Sequence, residues 1–173
     1  MRIPRDERSN ERALVRGAQR GSASDLEALF RLHWPRAHRA AFLVVHDPAA
    51  AEDIAQESFL AAVRALDGFD RRRPFGPWLH RIVVNRAIDW TRARRLRAEA
   101  ELGESLPAPE QAPPLDGTLL AAMGELGPEQ RAVIVLRHLL GYTPGEIAEL
   151  LALPRGTVNS RLRRGLDELK EKV

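Results

Sequence analysis

The sequence predicts an all-α protein made of two small helical domains joined by a flexible linker. Three observations predict this fold class. Apolar residues recur at three- and four-residue steps along most of the chain, a stretch rich in proline and acid interrupts that pattern, and the last third contains a helix-turn-helix pattern. A chain of 173 residues is long enough for two domains with modest cores. We place these domains at residues 1–97 and 118–173, with the linker at 98–117.

The composition excludes several classes of protein. The chain has no cysteine, so we expect neither disulfides nor a thiolate metal site. The histidines show no metal-binding spacing, and no phosphate-binding glycine loop or nucleophile–base pair is recognisable, so we expect no metal, no cofactor and no enzyme activity. No apolar run is long enough to span a membrane, and the charged N-terminus lacks the apolar region of a signal peptide. We therefore expect a cytoplasmic protein without membrane insertion.

Two helices are predicted before residue 47. A short helix covers Glu11 to Arg20 and ends near Gly21, and Ser24 is the expected N-cap of a longer helix. Pro35 inside the longer helix predicts a kink or a local adjustment. The core-facing residues that we expect there are Leu26, Leu29, Phe30, His33, Ala37, Ala41 and Val44.

A third helix begins after Asp47-Pro48, because aspartate is a good N-cap and proline suits the first turn. It is expected to run to Leu66, with one apolar face and one polar face. The polar face carries Glu52, Asp53, Gln56 and Glu57. Early acids favour the positive end of a helix, which explains Glu52 and Asp53 structurally. A protein-docking surface explains better why Gln56 and Glu57 continue the patch.

The stretch from Phe69 to Arg97 contains nine arginines and two acids, with four aromatic rings among them. Helical periodicity begins at Trp78. The part before it is predicted to be a loop, because Pro74, Gly76 and Pro77 break the helical pattern there. Arginines neutralise phosphates, and flat rings stack on bases, so this combination suits a protein that binds a single strand or a melted duplex. The alternative is that the rings are core residues and the arginines form a solvated face.

After Arg97 the composition of the chain changes from basic to acidic. Residues 98–117 hold five acids and four prolines but no basic residue, a composition typical of an extended linker. From Thr118 to Leu140 we predict two helical segments, separated at Gly127-Pro128, and Gly141 ends the second.

The C-terminal stretch predicts a helix-turn-helix. Thr143 to Glu146 forms a capping box, and three residues, 152–154, separate this helix from the next. The second helix is polar and basic near its start, as in a helix that reads the major groove. An ordinary helical hairpin with a solvated basic face is the alternative. If the second helix reads DNA, its candidate DNA-contacting residues are Arg155, Thr157, Asn159, Ser160, Arg161, Arg163 and Arg164.

Three motifs in this order resemble the extracytoplasmic-function (ECF) sigma factors of bacterial RNA polymerase, which belong to the sigma-70 family. The motifs are AEDIAQESF, FGPWLHRIVVNRAIDWTR and YTPGEIAELLALPRGTVNSRL. The likeness runs from about Glu11 to Lys170. It implies a dissociable subunit that recognises promoters and helps to melt them, with core polymerase, promoter DNA and an anti-sigma factor as partners.

The resemblance also implies roles for individual residues. Asp53, Gln56 and Glu57 match the surface that docks on the polymerase clamp. The minus-ten element would be held by Phe69, Arg71, Arg72, Arg73, Phe75, Trp78 and Asn85. The positions that match those reading the minus-thirty-five element are Asn159, Ser160, Arg161, Arg163 and Arg164. Asn159 and Arg155 depart from the residues that are usual in the family, which leaves the exact sequence read open.

Two rival functions are open from the residues alone. A stand-alone helix-turn-helix regulator would combine the C-terminal motif with a ligand-sensing N-terminal domain, but the N-terminal charge instead suggests a nucleic-acid surface. A nucleic-acid enzyme has no support from any motif. Association with core polymerase distinguishes the three functions.

Overall fold

The computed structural model describes the backbone of residues 5–100 and 117–173, and it describes side chains within 9–98 and 119–173. These ranges contain helices and no strand. The helices are α1 (Arg5–Ala18), α2 (Ala23–Val45), α3 (Pro48–Arg64), α4 (Phe75–Ala100), α5 (Gly117–Glu125), α6 (Pro128–Ile134), α7 (Pro144–Leu151) and α8 (Arg155–Lys172). A 3-10 turn at Leu66–Gly68 precedes α4, and a π-helical turn at Val135–Leu139 continues α6. None of the described helices is long and apolar enough to cross a membrane.

Helices α1 to α4 form the N-terminal half, in which α2 packs against the other three helices. The fully buried side chains of this half include Leu29, Val44, Leu79 and Val83. Helix α2 begins one residue before Ser24, so our prediction of Ser24 as its N-cap was wrong. Ser22 is the cap, because its hydroxyl accepts a hydrogen bond from the Asp25 amide at 3.3 Å. The helix then runs without a break past Pro35.

The connections around α3 follow the turn chemistry of the sequence. The Asp47 carboxylate accepts a hydrogen bond from the Ala50 amide at 3.0 Å, and Pro48 occupies the first turn, as predicted. Helix α3 ends at Arg64, two residues earlier than we expected, and Leu66 enters the core from the 3-10 turn. Helix α1 begins at Arg5 rather than near Glu11, and Gly21 follows it with φ +87°.

Helix α4 begins at Phe75 rather than at Trp78, so it includes two of the residues that we expected to interrupt it. Pro77 is tolerated because a first-turn amide has no intrahelical partner in any case. The Gly76 amide donates to Oε1 of Glu11 at 2.9 Å, so a carboxylate 65 residues away satisfies the start of the helix. Glycine also fits sterically, since a Cβ at residue 76 would lie 3.2 Å from the His33 ring.

Helices α5 to α8 form the C-terminal half, and the predicted starts of α6, α7 and α8 are confirmed. The Thr143 hydroxyl accepts from the Glu146 amide, and the Glu146 carboxylate accepts from the Thr143 amide at 2.8 Å, which completes the capping box. Ala152, with φ +54°, turns the chain into α8. The core of this half contains Val133, Leu136, Ile147, Val158 and Leu162.

The two halves contact each other directly. Helices α2 and α4 pack against α6, and α4 also meets α7. Of the residues predicted as a linker, 98–100 belong to α4 and Gly117 belongs to α5, whereas residues 101–116 lie outside the described part of the chain.

Candidate polymerase and nucleic-acid interfaces

The acidic patch on α3 consists of Glu52, Asp53, Gln56 and Glu57, and all four side chains are exposed. Their three- and four-residue spacing places them on one side of the helix. The helix dipole explains little here, because its effect is confined to the first turn and α3 carries no acid there. Glu57 is bound by Nη1 of Arg86 at 2.7 Å, which ties the patch to α4. The patch is therefore an exposed anionic surface without a role in the core.

An apolar groove adjoins this patch between α2 and α3, with a volume of about 430 Å³. Phe30, Leu60 and Val63 lie along it and are 39%, 54% and 39% exposed. We predicted Phe30 as a core residue; instead its ring stacks on Trp34 with a centroid separation of 4.8 Å at the edge of the core. The groove extends the patch with apolar surface that a binding partner can cover.

The aromatic side chains predicted for the minus-ten surface form a compact cluster. Phe69 and Phe75 are only 8% and 3% exposed, and Trp78 is partly exposed. The ring centroid of Trp78 lies 4.5 Å from that of Phe69 and 5.6 Å from that of Phe75. Two of the three rings therefore belong to the core, where they fix the loop between residues 69 and 75.

The polar residues predicted for the same surface are accessible. Arg71, Arg72 and Arg73 are exposed, and Nε of Arg72 binds Asp70 at 3.1 Å. This hydrogen bond holds the pKa of Asp70 below its usual value. Asn85 is partly exposed, and its side chain forms no hydrogen bond with any described residue. Because Asn85 lies seven residues after Trp78, the two side chains share one face of α4.

Helix α8 presents its predicted reading residues on the surface. Arg155, Asn159, Arg163 and Arg164 are exposed, whereas Thr157, Ser160 and Arg161 are partly exposed. The Ser160 hydroxyl donates to the Thr157 carbonyl at 3.0 Å. The opposite face packs closely on α6, since a Cβ at Gly165 would lie only 2.8 Å from Cδ1 of Ile134. The structure thus separates a buried face from a basic face along this helix.

Sequence reasoning did not identify a set of buried polar residues that connect the helices. Burial raises the pKa of Glu11, but hydrogen bonds from His33 and the Gly76 amide outweigh it and hold the pKa below its usual value. Burial, together with the charge of Arg131, lowers the pKa of His46 to about 4. Burial lowers the pKa of Arg131 itself to about 10. No local motif marks these residues, because each depends on contacts with distant parts of the chain.

His80 is another buried polar residue that was not identified from the sequence. Its Nδ1 lies 2.7 Å from the hydroxyl of Tyr142, across the contact between the two halves. Burial, together with the nearby His33, lowers the pKa of His80 to about 3. Burial also raises the pKa of Tyr142, so both groups are neutral at pH 7 and form a neutral hydrogen bond.

Comparison with known proteins identifies two family regions in this chain. Residues 29–97 match sigma-70 region 2, which covers α4 and the acidic patch, and residues 116–169 match sigma-70 region 4, which covers the helix-turn-helix. The ECF RNA polymerase sigma factor SigE of Mycolicibacterium smegmatis is 32% identical over 97% of this chain and 69% of that protein. SigL of Mycobacterium tuberculosis, also an ECF RNA polymerase sigma factor, is 34% identical over 91% of this chain and 94% of that protein.

Solved structures show the same fold. CnrH in complex with the cytosolic domain of CnrY matches 94% of this chain and 96% of its own, with a TM-score of 0.70 and 28% identity. The sigma factor RpoE of Bartonella quintana, in complex with the anti-sigma factor NepR, matches 86% of this chain and 96% of its own, with a TM-score of 0.73 and 23% identity. The two family regions occur in the expected order, and the SigE and SigL relatives are 32% and 34% identical over nearly the whole chain. The chain therefore belongs to the ECF sigma factors of RNA polymerase, within the sigma-70 family.

Proposed function

We propose that this protein is a dissociable RNA polymerase subunit that directs core polymerase to promoters and helps to melt them. The observation that carries the proposal is the distribution of exposed charge. An anionic patch on α3, a cationic loop before α4 and a cationic face on α8 form three separate surfaces. A subunit that binds one protein and two stretches of DNA needs three such surfaces.

In this proposal the acidic patch docks on the core polymerase through Asp53, Gln56 and Glu57. Each is exposed and none contributes to the core. Glu57 is paired with Arg86, and a basic partner surface would replace this exposed pairing. Charge complementarity of this kind mainly increases the association rate and the specificity of binding. The apolar groove beside the patch adds surface whose burial favours association.

The surface around the start of α4 captures the melted minus-ten strand. Unstacking a base costs a few kcal/mol, and stacking on an aromatic ring recovers about 1–3 kcal/mol. Trp78 and Asn85 are the candidates for direct contact with the base, since they share a face and are partly exposed. Phe69 and Phe75 support this surface from below, while Arg71, Arg72 and Arg73 neutralise the backbone phosphates.

Helix α8 reads the minus-thirty-five element in the major groove. Its candidate contacts are Arg155, Thr157, Asn159, Ser160, Arg161, Arg163 and Arg164. Arginine and asparagine form bidentate hydrogen bonds with guanine and adenine, and serine contacts either bases or phosphates. The rigid packing of α8 on α6 sets the angle at which these residues are presented.

We further propose that an anti-sigma factor controls the protein, which acts in the cytoplasm and has no catalytic chemistry of its own. The structural relative CnrH was solved in complex with the cytosolic domain of CnrY. A protein that covers the acidic patch would prevent docking on polymerase. A stand-alone helix-turn-helix regulator is less well supported, because the similarity to sigma factors extends through both halves.

Reconstitution with core polymerase tests the proposal. We expect Asp53→Arg with Glu57→Arg to abolish co-elution with core polymerase while changing stability by no more than about 0.5 kcal/mol, as is usual for surface substitutions. The matched control, Asp167→Arg with Glu171→Arg, changes two exposed acids of the same spacing on α8 and should leave co-elution intact. Undiminished co-elution of the α3 variant would refute the docking assignment.

The same reconstituted enzyme tests strand capture. Asn85→Ala should bind polymerase normally but reduce the permanganate reactivity of unpaired thymines in the open complex. A promoter that contains a pre-melted mismatched bubble should partly restore activity, because strand separation is then supplied. If Asn85→Ala opens a duplex promoter as well as the parent does, Asn85 is structural.

A further inference from the structure

A row of exposed arginines follows helix α1. Arg12 and Arg16 are exposed on the helix, and Arg20 is exposed in the turn directly after it. The amide of Gln19 still donates to the carbonyl of Val15 at 3.0 Å, so helical geometry continues to the end of the row. At about 1.5 Å per residue the row is about 12 Å long. The described side chains from residue 9 to residue 20 include no exposed acid, so the row is uniformly cationic.

The stability of α1 does not explain this row. Like charges four residues apart repel each other and destabilise a helix. The helix dipole favours Arg16 in the last turn, but it does not act on Arg12 in the middle of the helix. Helix α2 shows the stabilising arrangement at the same spacing, because Arg31 binds Glu27 at 2.6 Å. Helix α1 thus carries a charge pattern that lowers its own stability.

The arginines of the row are also unpaired. None of Arg12, Arg16 and Arg20 forms a side-chain hydrogen bond or an ion pair with any described residue. Other arginines of the N-terminal half bind a carboxylate, among them Arg31, Arg72, Arg86, Arg94 and, through Glu129 of α6, Arg92. An unpaired guanidinium keeps its donors for an anionic partner, and its planar fork matches the geometry of a phosphate group.

Hydrogen bonds fix α1 against both ends of the loop that precedes α4. Nε2 of Gln19 donates to the carbonyl oxygens of Leu66 at 2.8 Å and of Phe69 at 3.0 Å, where the loop begins. The carboxylate of Glu11 accepts from the amide of Gly76 at 2.9 Å, where the loop ends. Two side chains from the start of the protein therefore hold the loop in place.

The arginine row lies beside these two anchoring residues. Arg12 follows Glu11 in the sequence and Arg20 follows Gln19, so each end of the row lies next to one end of the loop. One residue turns a helix by about 100°, which places the row on the side of α1 rather than in its contact with the loop. The loop itself carries the exposed arginines of residues 71–73. The row therefore extends the cationic surface of the loop along α1.

The position of this surface along α4 gives it a direction relative to the promoter. We assign the melted strand to the face of α4 that carries Trp78 and Asn85, and the upstream element to α8. The chain runs from the end of α4 into the half that contains α8. The start of α4, together with the loop and α1, therefore lies at the end of the strand-binding surface that is remote from the upstream element.

We propose that Arg12, Arg16 and Arg20 bind backbone phosphates of the melted strand where it leaves the minus-ten surface in the downstream direction. This inference rests on the proposed promoter-melting function. Contacts with phosphates carry no sequence information, so the row holds the strand without selecting its bases. A strand that is held by its phosphates beyond the captured base is hindered from pairing again with its complement.

Two forked promoter probes test this contact with the reconstituted holoenzyme. Both contain the same duplex and minus-ten strand, and one extends the single strand downstream by about six nucleotides, within the range that one small binding surface covers. We expect the parent to bind the extended probe more tightly. Arg12→Gln with Arg16→Gln should bind the short probe as the parent does and lose most of the gain from the extension. For the extended probe, the slope of log K against log salt should become shallower by about 1.4, at about 0.7 for each single-strand phosphate.

A matched control removes the same charge from another helix. Arg36→Gln with Arg39→Gln replaces two exposed arginines about one turn apart on α2. Arg39 lines a groove with His138 and Leu139, on the side of α2 that faces the C-terminal half. The control should keep the full gain from the extension. An equal loss in both variants would mean that only net charge matters, and an equal loss on both probes would place the row elsewhere on the DNA. Either result would overturn the inference.

Further measurements distinguish a DNA contact from a structural or protein-binding role. Exposed residues contribute little to stability, so the α1 variant should keep the Tm of the parent and its co-elution with core polymerase. Arg12→Lys with Arg16→Lys keeps the charge and should retain most of the gain from the extension. Loss of co-elution would assign the row to a protein contact and would overturn the inference.

The same probes separate this inference from the proposed function. If the parent holoenzyme binds neither probe, the proposed function fails and the inference fails with it. If the parent binds both probes equally tightly, the proposed function stands and only the inference fails.

Discussion

The carboxylate of Glu11 provides a quantitative test of how this fold supports the surface on α4 that we propose for capture of the melted strand. The side chain is 4% exposed, and its Oε1 accepts a hydrogen bond from the Gly76 amide at 2.9 Å and lies 3.4 Å from Nε2 of His33. It therefore joins α1 and α2 to the first turn of α4. Since α4 carries Trp78 and Asn85, the position of this proposed surface depends on the buried carboxylate of Glu11.

The expected effect of Glu11→Ala follows from these contacts. A hydrogen bond to a charged group contributes about 1.5–3 kcal/mol, and leaving a buried amide unpaired costs about 1–3 kcal/mol. Some relaxation is expected, so we predict a loss of about 2–4 kcal/mol in the free energy of unfolding. In a protein of this size that corresponds to about 4–16 °C in Tm, at roughly 2–4 °C per kcal/mol. Glu11→Gln keeps an acceptor for the Gly76 amide and should lose only about 1 kcal/mol.

Chemical denaturation followed by circular dichroism measures the global effect, and hydrogen exchange of the Gly76 amide measures the local one. Because the folded pKa of Glu11 is below its ordinary value, its ionisation stabilises the protein above about pH 4.5, and that stability is lost as the pH falls through the folded pKa. Glu11→Gln should reduce this acid dependence. The control Glu27→Ala removes an exposed partner of Arg31 and should cost no more than about 0.5 kcal/mol. If Glu11→Ala costs no more than this control, the proposed support of α4 is refuted.

Three further predictions concern the C-terminal half and the interface. Ser160→Ala with Arg164→Ala should weaken recognition of the minus-thirty-five (upstream) element, as judged by run-off transcription. The loss of one bidentate base contact should cost about 1–3 kcal/mol of binding free energy. Equal losses on a promoter with a scrambled upstream element would show that only phosphates are contacted. Gly165→Ala should lower the free energy of unfolding by about 1–3 kcal/mol, because its Cβ overpacks the contact with α6. Gly156→Ala, whose Cβ meets nothing within 4 Å, is the control and should show no such loss in urea denaturation. The pKa of His46 is about 4 in the folded protein and about 6.5 when the side chain is free. The stability that neutral His46 confers is therefore present above about pH 6.5 and is lost as the pH falls toward 4. Allowing for partial solvent screening, the free energy of unfolding in urea should be about 1–2 kcal/mol lower at about pH 5 than above about pH 6.5. His46→Gln should reduce this dependence on pH.

The elements that could be predicted from the sequence are those whose boundaries are set by neighbouring residues. Asp47-Pro48, Gly127-Pro128 and the Thr143–Glu146 capping box each contain their own start signal within four residues, and each boundary is confirmed. The family resemblance is confirmed for the same reason, because its motifs are contiguous. A local pattern is enough where the physical cause is local.

The elements that could not be predicted depend on distant contacts. Helix α4 starts at Phe75 because Glu11, far away in the chain, satisfies the Gly76 amide. Ser24 was the expected cap of α2, whereas the folded geometry shows that Ser22 accepts the hydrogen bond from the Asp25 amide. The assignment of Phe30 to the core was wrong because helical periodicity identifies a face of a helix but not how far its partners cover that face.

The same distinction applies to the candidate site. Exposed acids and arginines could be located from their spacing, and their roles in binding stay predictions. The pairing of Arg92 with Glu129 could not be found, since nothing near either residue in the sequence points to the other half of the chain. Contacts between halves depend on surface shape, which one-dimensional periodicity does not contain.

The π-helical turn at Val135–Leu139 makes the contact between the two halves tolerant of a one-residue change in chain length at this turn. There the Leu140 amide reaches back five residues, to the Val135 carbonyl at 3.1 Å, and so accommodates one more residue than an α-helical turn. Tyr142 follows directly, and its hydroxyl meets His80. Deleting a single residue such as Arg137 would remove the extra residue, so that an ordinary α-helical turn forms and the following chain keeps its orientation. In a regular α-helix the same deletion would rotate the following chain by about 100°. The hydroxyl of Tyr142 would then still meet His80, so two relatives that differ in length by one residue at this turn can keep the same contact between the halves.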